Sequence, residues 1–178
     1  DTNNKIIDNQ KEYNNKAFGQ MEYMADGYNS MSDYWDDYKE TPDAYRVTQV
    51  LQSASLGLEK AMYKPQSLFV RDNEIYVCDT GNNRLLQIRL KSKGYELVRI
   101  IDTVAGSDIP TFNTPSDVFV DEEGTIYVCD TNNGRVVKMD KDLNFIQEFV
   151  KPTDATYDQS LSFLPSKLVV DSSGRVFV

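Results

Sequence analysis

The chain has 178 residues, 40% hydrophobic and 26% charged, an ordinary balance for one or two packed domains. Its net charge of −9 disfavours a nucleic-acid role, because an acidic surface repels phosphate, and no run of Lys or Arg marks a membrane-surface patch. No apolar run approaches the ~18 residues of a membrane helix, and histidine is absent, which removes Ser–His and Cys–His nucleophile pairs and His-based zinc sites.

Residues 1–44 stand apart from the rest. They hold ten acidic and four basic side chains, so most of the negative charge lies here. The first residue is Asp1 rather than Met, as expected of a processed or trimmed product, a removed secretion signal among the possible causes. Helix formers from Asp8 to Met24 suit a short helix. The stretch from Tyr28 to Asp43 is aromatic and acidic without a period. Such a segment reads as a solvated leader that lays a few aromatics on the main domain. The competing reading is a tether for a ligand or partner, with Tyr34, Trp35 and Tyr38 as the candidate contacts.

From Tyr45 onward, short strands alternate with turn signals. Tyr45–Leu51 reads as one strand, and Tyr95–Ile101 is its equivalent 50 residues later. Pro65-Gln-Ser-Leu-Phe-Val70 is followed by Ile75-Tyr-Val-Cys-Asp-Thr80. Pro115-Ser-Asp-Val-Phe-Val120 is followed by Ile126-Tyr-Val-Cys-Asp-Thr131. Pro165-Ser-Lys-Leu-Val-Val170 opens a third unit, which reaches Val176-Phe-Val178. Pro65, Pro115 and Pro165 are 50 residues apart, and a fixed period of this length marks a repeat architecture.

Each unit supplies four strands, near Tyr95, Val118, Tyr127 and Val137 in the second, which is the pattern of an antiparallel meander. Ile75-Tyr-Val-Cys78 is apolar on both faces, where a half-exposed strand would alternate. Both faces must be covered, as when similar sheets pack face to face around an axis. The expected fold is therefore an all-β β-propeller of four-stranded antiparallel blades over residues 45–178, two full blades and part of a third, with an irregular or partly helical extension over 1–44. Cys78 and Cys129 fall at the same repeat position, and they read as small buried core residues rather than as a disulfide.

A polar motif follows each buried strand: Asp79-Thr-Gly-Asn-Asn-Arg84 and Asp130-Thr-Asn-Asn-Gly-Arg135. Asp is placed to accept from the backbone N–H groups of the turn, Asn and Gly suit a left-handed backbone, and Arg can return to Asp as a charge-assisted pair. Asp79, Asn82, Arg84, Asp130, Asn133 and Arg135 thus form a turn clamp, copied once per blade and structural in role. The glycine moves from Gly81 to Gly134 between the two copies, which predicts a change of turn type.

The combination Pro-Ser-x-Val-Phe-Val, a Gly turn, Ile-Tyr-Val-x-Asp-Thr, Asn-Asn and Arg resembles the NHL-repeat family from Tyr45 to Val178. WD-type blades need a Gly-His that this chain lacks, its one Trp-Asp lies in the leader, and kelch blades carry paired glycines that do not occur here. Tyr34-Trp35 followed by Pro42-Asp-Ala-Tyr45 is similar to the segment before the first strand in NHL proteins of Gram-positive envelopes, which implies an extracellular or envelope location. The NHL-like amidating lyases rely on histidine ligands, so the resemblance does not extend to their activity. If the family holds, the ring has about six blades, the native protein is longer, and a part of it exposes an apolar end face that favours self-association.

Acidic positions read as turns. Asp140, Asp142 and Asn144 start like a calcium loop, but Phe145 stands where Gly is needed and Lys151 where Glu is needed. Asp121-Glu-Glu-Gly124 is an acidic turn of the same kind. No cofactor is expected. The function expected is a non-enzymatic scaffold for a protein or carbohydrate partner. Alternatives are a purely structural envelope component and a metal-dependent lactonase- or lyase-like propeller whose site lies mostly outside these blades.

Overall fold

The computed structural model describes Ser30–Ser32, Tyr38–Glu40 and residues 50–178. The chain divides into two compact units, Asp1–Val50 and Leu51–Val178. In the first, β1 (Ser30–Ser32) pairs antiparallel with β2 (Tyr38–Glu40). The helix expected over Asp8–Met24 and the boundary expected at 44/45 lie outside the described residues. So does most of the strand expected at Tyr45–Leu51, and Val50 and Leu51 are not in a strand.

The second unit holds two four-stranded sheets and one two-stranded sheet. The first sheet is β3 (Ser67–Arg71), β4 (Glu74–Asp79), β5 (Arg84–Lys91) and β6 (Gly94–Ile101), paired antiparallel in chain order. The second is β7 (Pro115–Val120), β8 (Ile126–Asp130), β9 (Arg135–Met139) and β10 (Phe145–Val150), in the same order. The third is β11 (Val169–Val170) with β12 (Val176–Phe177). This is the meander expected of propeller blades. One grouping differs: Gly94–Ile101 hydrogen-bonds to β5, so it closes the first sheet instead of opening the second. A two-residue turn at Ser92–Lys93 makes that hairpin, whereas 13 residues separate β6 from β7. The short connection wins because it costs less chain entropy.

The β-branched and aromatic runs of β4 and β8 suit extended backbone, and their last four and all five residues respectively are buried. The sheets meet chiefly through β3 and β4 of the first and β7 of the second. Phe69, Tyr76, Cys78, Leu85 and Ile101 of the first sheet pack on Val118, Val120, Ile126, Val128, Val137 and Met139 of the second. Val104 and Phe112, in the connection between the sheets, complete that core. The other face of the first sheet, at Val77, Leu86 and Ile88, is covered by Leu51, Leu56, Leu58 and Met62 from the segment before β3.

Candidate functional site

The clamp residues come together in both blades. Asp79 is fully buried at the end of β4, and its Oδ2 accepts from Arg84 Nε at 2.7 Å and from Asn82 Nδ2 at 2.9 Å. In the second blade, Asp130 Oδ2 accepts from Arg135 Nε at 2.9 Å and from Asn133 Nδ2 at 2.8 Å. The pair is held in register because Asp79 lies opposite Arg84, and Asp130 opposite Arg135, across the first hairpin rung.

The rest of the clamp departs from the sequence expectation. The Asp side chains make no cap to the turn that follows them. The second oxygen reaches backward instead: Asp79 Oδ1 accepts from the Tyr63 N–H and Asp130 Oδ1 from the Asn113 N–H, both at 2.7 Å. Arg84 donates to the Lys60 carbonyl and Asn82 to the Ala61 carbonyl. Arg135 donates to the Ile109 carbonyl and Asn133 to the Thr111 carbonyl. The clamp therefore ties the loop ahead of each sheet's first strand to the exit of its second strand. Locality in sequence hid this, since the partners lie 16 to 26 residues upstream.

The displaced glycine does not change the turn. Both hairpins have a three-residue 3-10 turn ending in a left-handed residue, Asn83 at φ 54° and Gly134 at φ 64°. Gly81 answers a different need. A Cβ there would lie 2.3 Å from Tyr63 Cδ1 and 2.6 Å from the Tyr63 carbonyl oxygen. The second blade carries the smaller Asn113 at the position of Tyr63, and Asn132 is accommodated.

Two further polar sets carry contacts that the sequence motif did not reveal. Thr80 and Thr131, adjacent to the clamp Asp residues, donate to the carbonyls of Pro115 and Pro165 at 2.7 Å, bridging each sheet to the opening of the next. Their recurrence after each Asp was the available signal. Ser67, Asp117 and Lys167 occupy one repeat position in three successive units and converge. Ser67 Oγ donates to Asp117 Oδ1, Lys167 Nζ lies 3.4 Å from the same oxygen, and the Leu168 N–H donates to Asp117 Oδ2 at 2.9 Å. The residue types differ, so no repeat pattern exposed the contact.

The acidic turns are hairpin staples. Asp140 Oδ1 accepts from the Asp142 and Asn144 N–H groups and Oδ2 from the Asn144 side chain, which hold its carboxyl below the usual range. Asp121 binds the N–H groups of Glu123 and Thr125, and Asp171 those of Ser173 and Arg175. Between the β3–β4 and β7–β8 turns lies a cleft of about 220 Å³, bordered by Arg71, Glu74, Tyr76, Asp121 and Glu123. Among the described residues, no three Asp, Glu or Cys side chains gather closely enough to hold a metal ion.

Cys78 and Cys129 are free and fully buried. Burial, with the Asp117 charge nearby, pushes the Cys78 thiol far up and the Cys129 thiol up to about 12. Thiolate chemistry is thereby suppressed in both. Of the candidate contact residues, Tyr34 and Trp35 lie outside the described residues, and Tyr38 begins strand β2.

No curated protein is significantly similar to the chain in sequence. Residues 112–139 match the family model for the NHL repeat. The match runs from Phe112 through β7, β8, the Asp130–Arg135 clamp and β9. A blade of this pattern, repeated 50 residues upstream in a second antiparallel four-stranded sheet, fits an NHL-repeat β-propeller.

Proposed function

We propose that the chain is a non-enzymatic binding scaffold that presents non-repeating segments to a protein or carbohydrate partner at the cell envelope. One observation carries the reading: the polar side chains copied in each blade are occupied by the blade itself. Asp79, Asn82 and Arg84 bond to one another and to the 60–63 loop, and their second-blade equivalents do the same at 109–113. Among the described residues, no buried side-chain nitrogen or oxygen lacks a hydrogen-bond partner. Repeated chemistry thus supports the scaffold, and specificity falls to what does not repeat, with Tyr34, Trp35 and Tyr38 as the first candidates.

A glycan array, together with cross-linking to extracted envelope proteins, tests this on the secreted or surface-displayed protein. The expected result is a saturable partner whose binding is lost when Tyr34, Trp35 and Tyr38 are replaced by Ala, with the melting temperature unchanged. Turnover of a small ester or lactone, with no partner found, would overturn the reading.

A further inference from the structure

The first blade breaks the repeat at one turn. Position 71 is Arg, where the next two units carry Asp121 and Asp171. Asp121 and Asp171 each staple a hairpin turn by accepting two backbone N–H groups, and Asp121 Oδ2 also lies 3.5 Å from the Tyr127 hydroxyl. The first turn is shorter and carries no staple: Arg71 pairs directly with Glu74, whereas Val120 pairs with Ile126. Tyr76, the counterpart of Tyr127, thereby loses its acceptor. It is only 6% exposed, and among the described residues its hydroxyl has no hydrogen-bond partner. No enclosed side-chain oxygen among those residues is unpartnered, so the hydroxyl is the part of Tyr76 that opens into the cleft of about 220 Å³ between the two turns. Burial and the Glu74 charge push its pKa up, so it stays a donor as well as an acceptor.

Arg71 is held by its Nε bond to the Val120 carbonyl at 2.8 Å and lies over the Phe69 ring, 5.7 Å from its centre. Among the described residues it makes no ion pair, although Glu74, Asp121, Glu122 and Glu123 border the same cleft. Glu74 is committed to Arg89 and Gln87, and Asp121 to its own turn, which leaves the exposed Glu122 and Glu123 uncommitted. These charges reject simple ions: the carboxylates repel an anion from Arg71, and Arg71 repels a cation from the carboxylates. A molecule with both charges satisfies both. We propose that the cleft binds a free α-amino acid, Arg71 holding its carboxylate as a fork, Glu122 and Glu123 its ammonium, and the Tyr76 hydroxyl adding one hydrogen bond. The volume suits so small a guest, being below the ~300–1,000 Å³ that drug-sized ligands fill. The inference goes beyond the binding role proposed above and does not depend on it.

Isothermal titration calorimetry on the full 178-residue chain, with glycine, L-alanine, L-lysine and L-glutamate as probes, tests this. The expected result is saturable one-to-one binding of at least one of them. The N-acetyl derivative and the methyl ester of that amino acid, each lacking one charge, should bind about tenfold or more weakly. Arg71→Gln should weaken binding about tenfold or more, and Tyr76→Phe about threefold to tenfold, as expected for the loss of charged and neutral hydrogen bonds. Circular dichroism checks that these variants fold. Glu122→Gln with Glu123→Gln probes the same cleft through exposed residues alone, and it should weaken binding about threefold or more. No saturable binding of any of the four amino acids would overturn the proposal. So would a blocked derivative that binds as tightly as its parent, or binding left unchanged by the folded variants.

Discussion

At the scale of single residues, space rather than backbone conformation decides Gly81. Its turn needs a left-handed residue two positions later, and Asn83 supplies it. What forbids a side chain at 81 is the Tyr63 ring and carbonyl. Gly81→Asn should cost about 1–3 kcal/mol, the usual range for overpacking. Tyr63→Asn in the same chain should recover much of that loss, because Asn113 and Asn132 already coexist in the second blade. Urea unfolding of the two single variants and the double would show a coupling of ~0.5 kcal/mol or more. The buried thiols make a second residue-scale prediction. A thiol whose folded value is raised adds stability below its unfolded value, near 9, and that share is lost as pH climbs toward about 12. Denaturant midpoints of the parent should therefore fall more steeply above pH 9 than those of a Cys78→Ala/Cys129→Ala chain. Parallel curves would count against it.

At the scale of the element, the hairpin clamp is an ion pair with unequal surroundings in its two copies. Arg135 is fully buried and binds Ser107 Oγ, the Ile109 carbonyl and Glu148 besides Asp130. Arg84 is slightly more open and binds the Lys60 carbonyl besides Asp79. Arg135→Met should cost about 3–5 kcal/mol, since it leaves a buried carboxylate unpaired, and Arg84→Met should cost less. Thermal melts of both variants would rank them, and equal losses would refute the difference. The clamp also shows what the sequence could and could not convey. Strand identity, the antiparallel meander and the Asp–Arg pairing were legible, because each is written in residues close together in the chain or 50 apart. The attachment of Asp79 Oδ1 to the Tyr63 N–H was not legible, because a backbone donor carries no residue signature. The placement of Gly94–Ile101 in the first sheet was equally hidden, since a strand's pattern does not say which neighbour it pairs with.

At the scale of the whole molecule, stacked repeats lean chiefly on their neighbours, with Lys167 Nζ 3.4 Å from Ser67 Oγ joining the third unit to the first, so stability is close to a sum of sheets and the contacts between them. Thr80 and Thr131 supply one such contact each, and both end on the proline that opens the next unit. Asp117 is the exception, because it binds Ser67 of the first unit and the Leu168 N–H and Lys167 of the third. Removing it loosens two boundaries at once, but unequally. The first and second sheets keep their shared apolar core from Phe69 to Met139. The third sheet has only two strands, and the segment that leads into it is held to the second through Ser116 and Thr131. Asp117→Ala should therefore release the third sheet first, at a cost of about 1.5–3 kcal/mol for the lost bonds to a charged group. Hydrogen exchange would report it as faster exchange at Leu168 and along β11–β12, with β4 and β8 still protected. A uniform loss of protection across all three sheets would mean instead that the boundaries unfold as one cooperative unit.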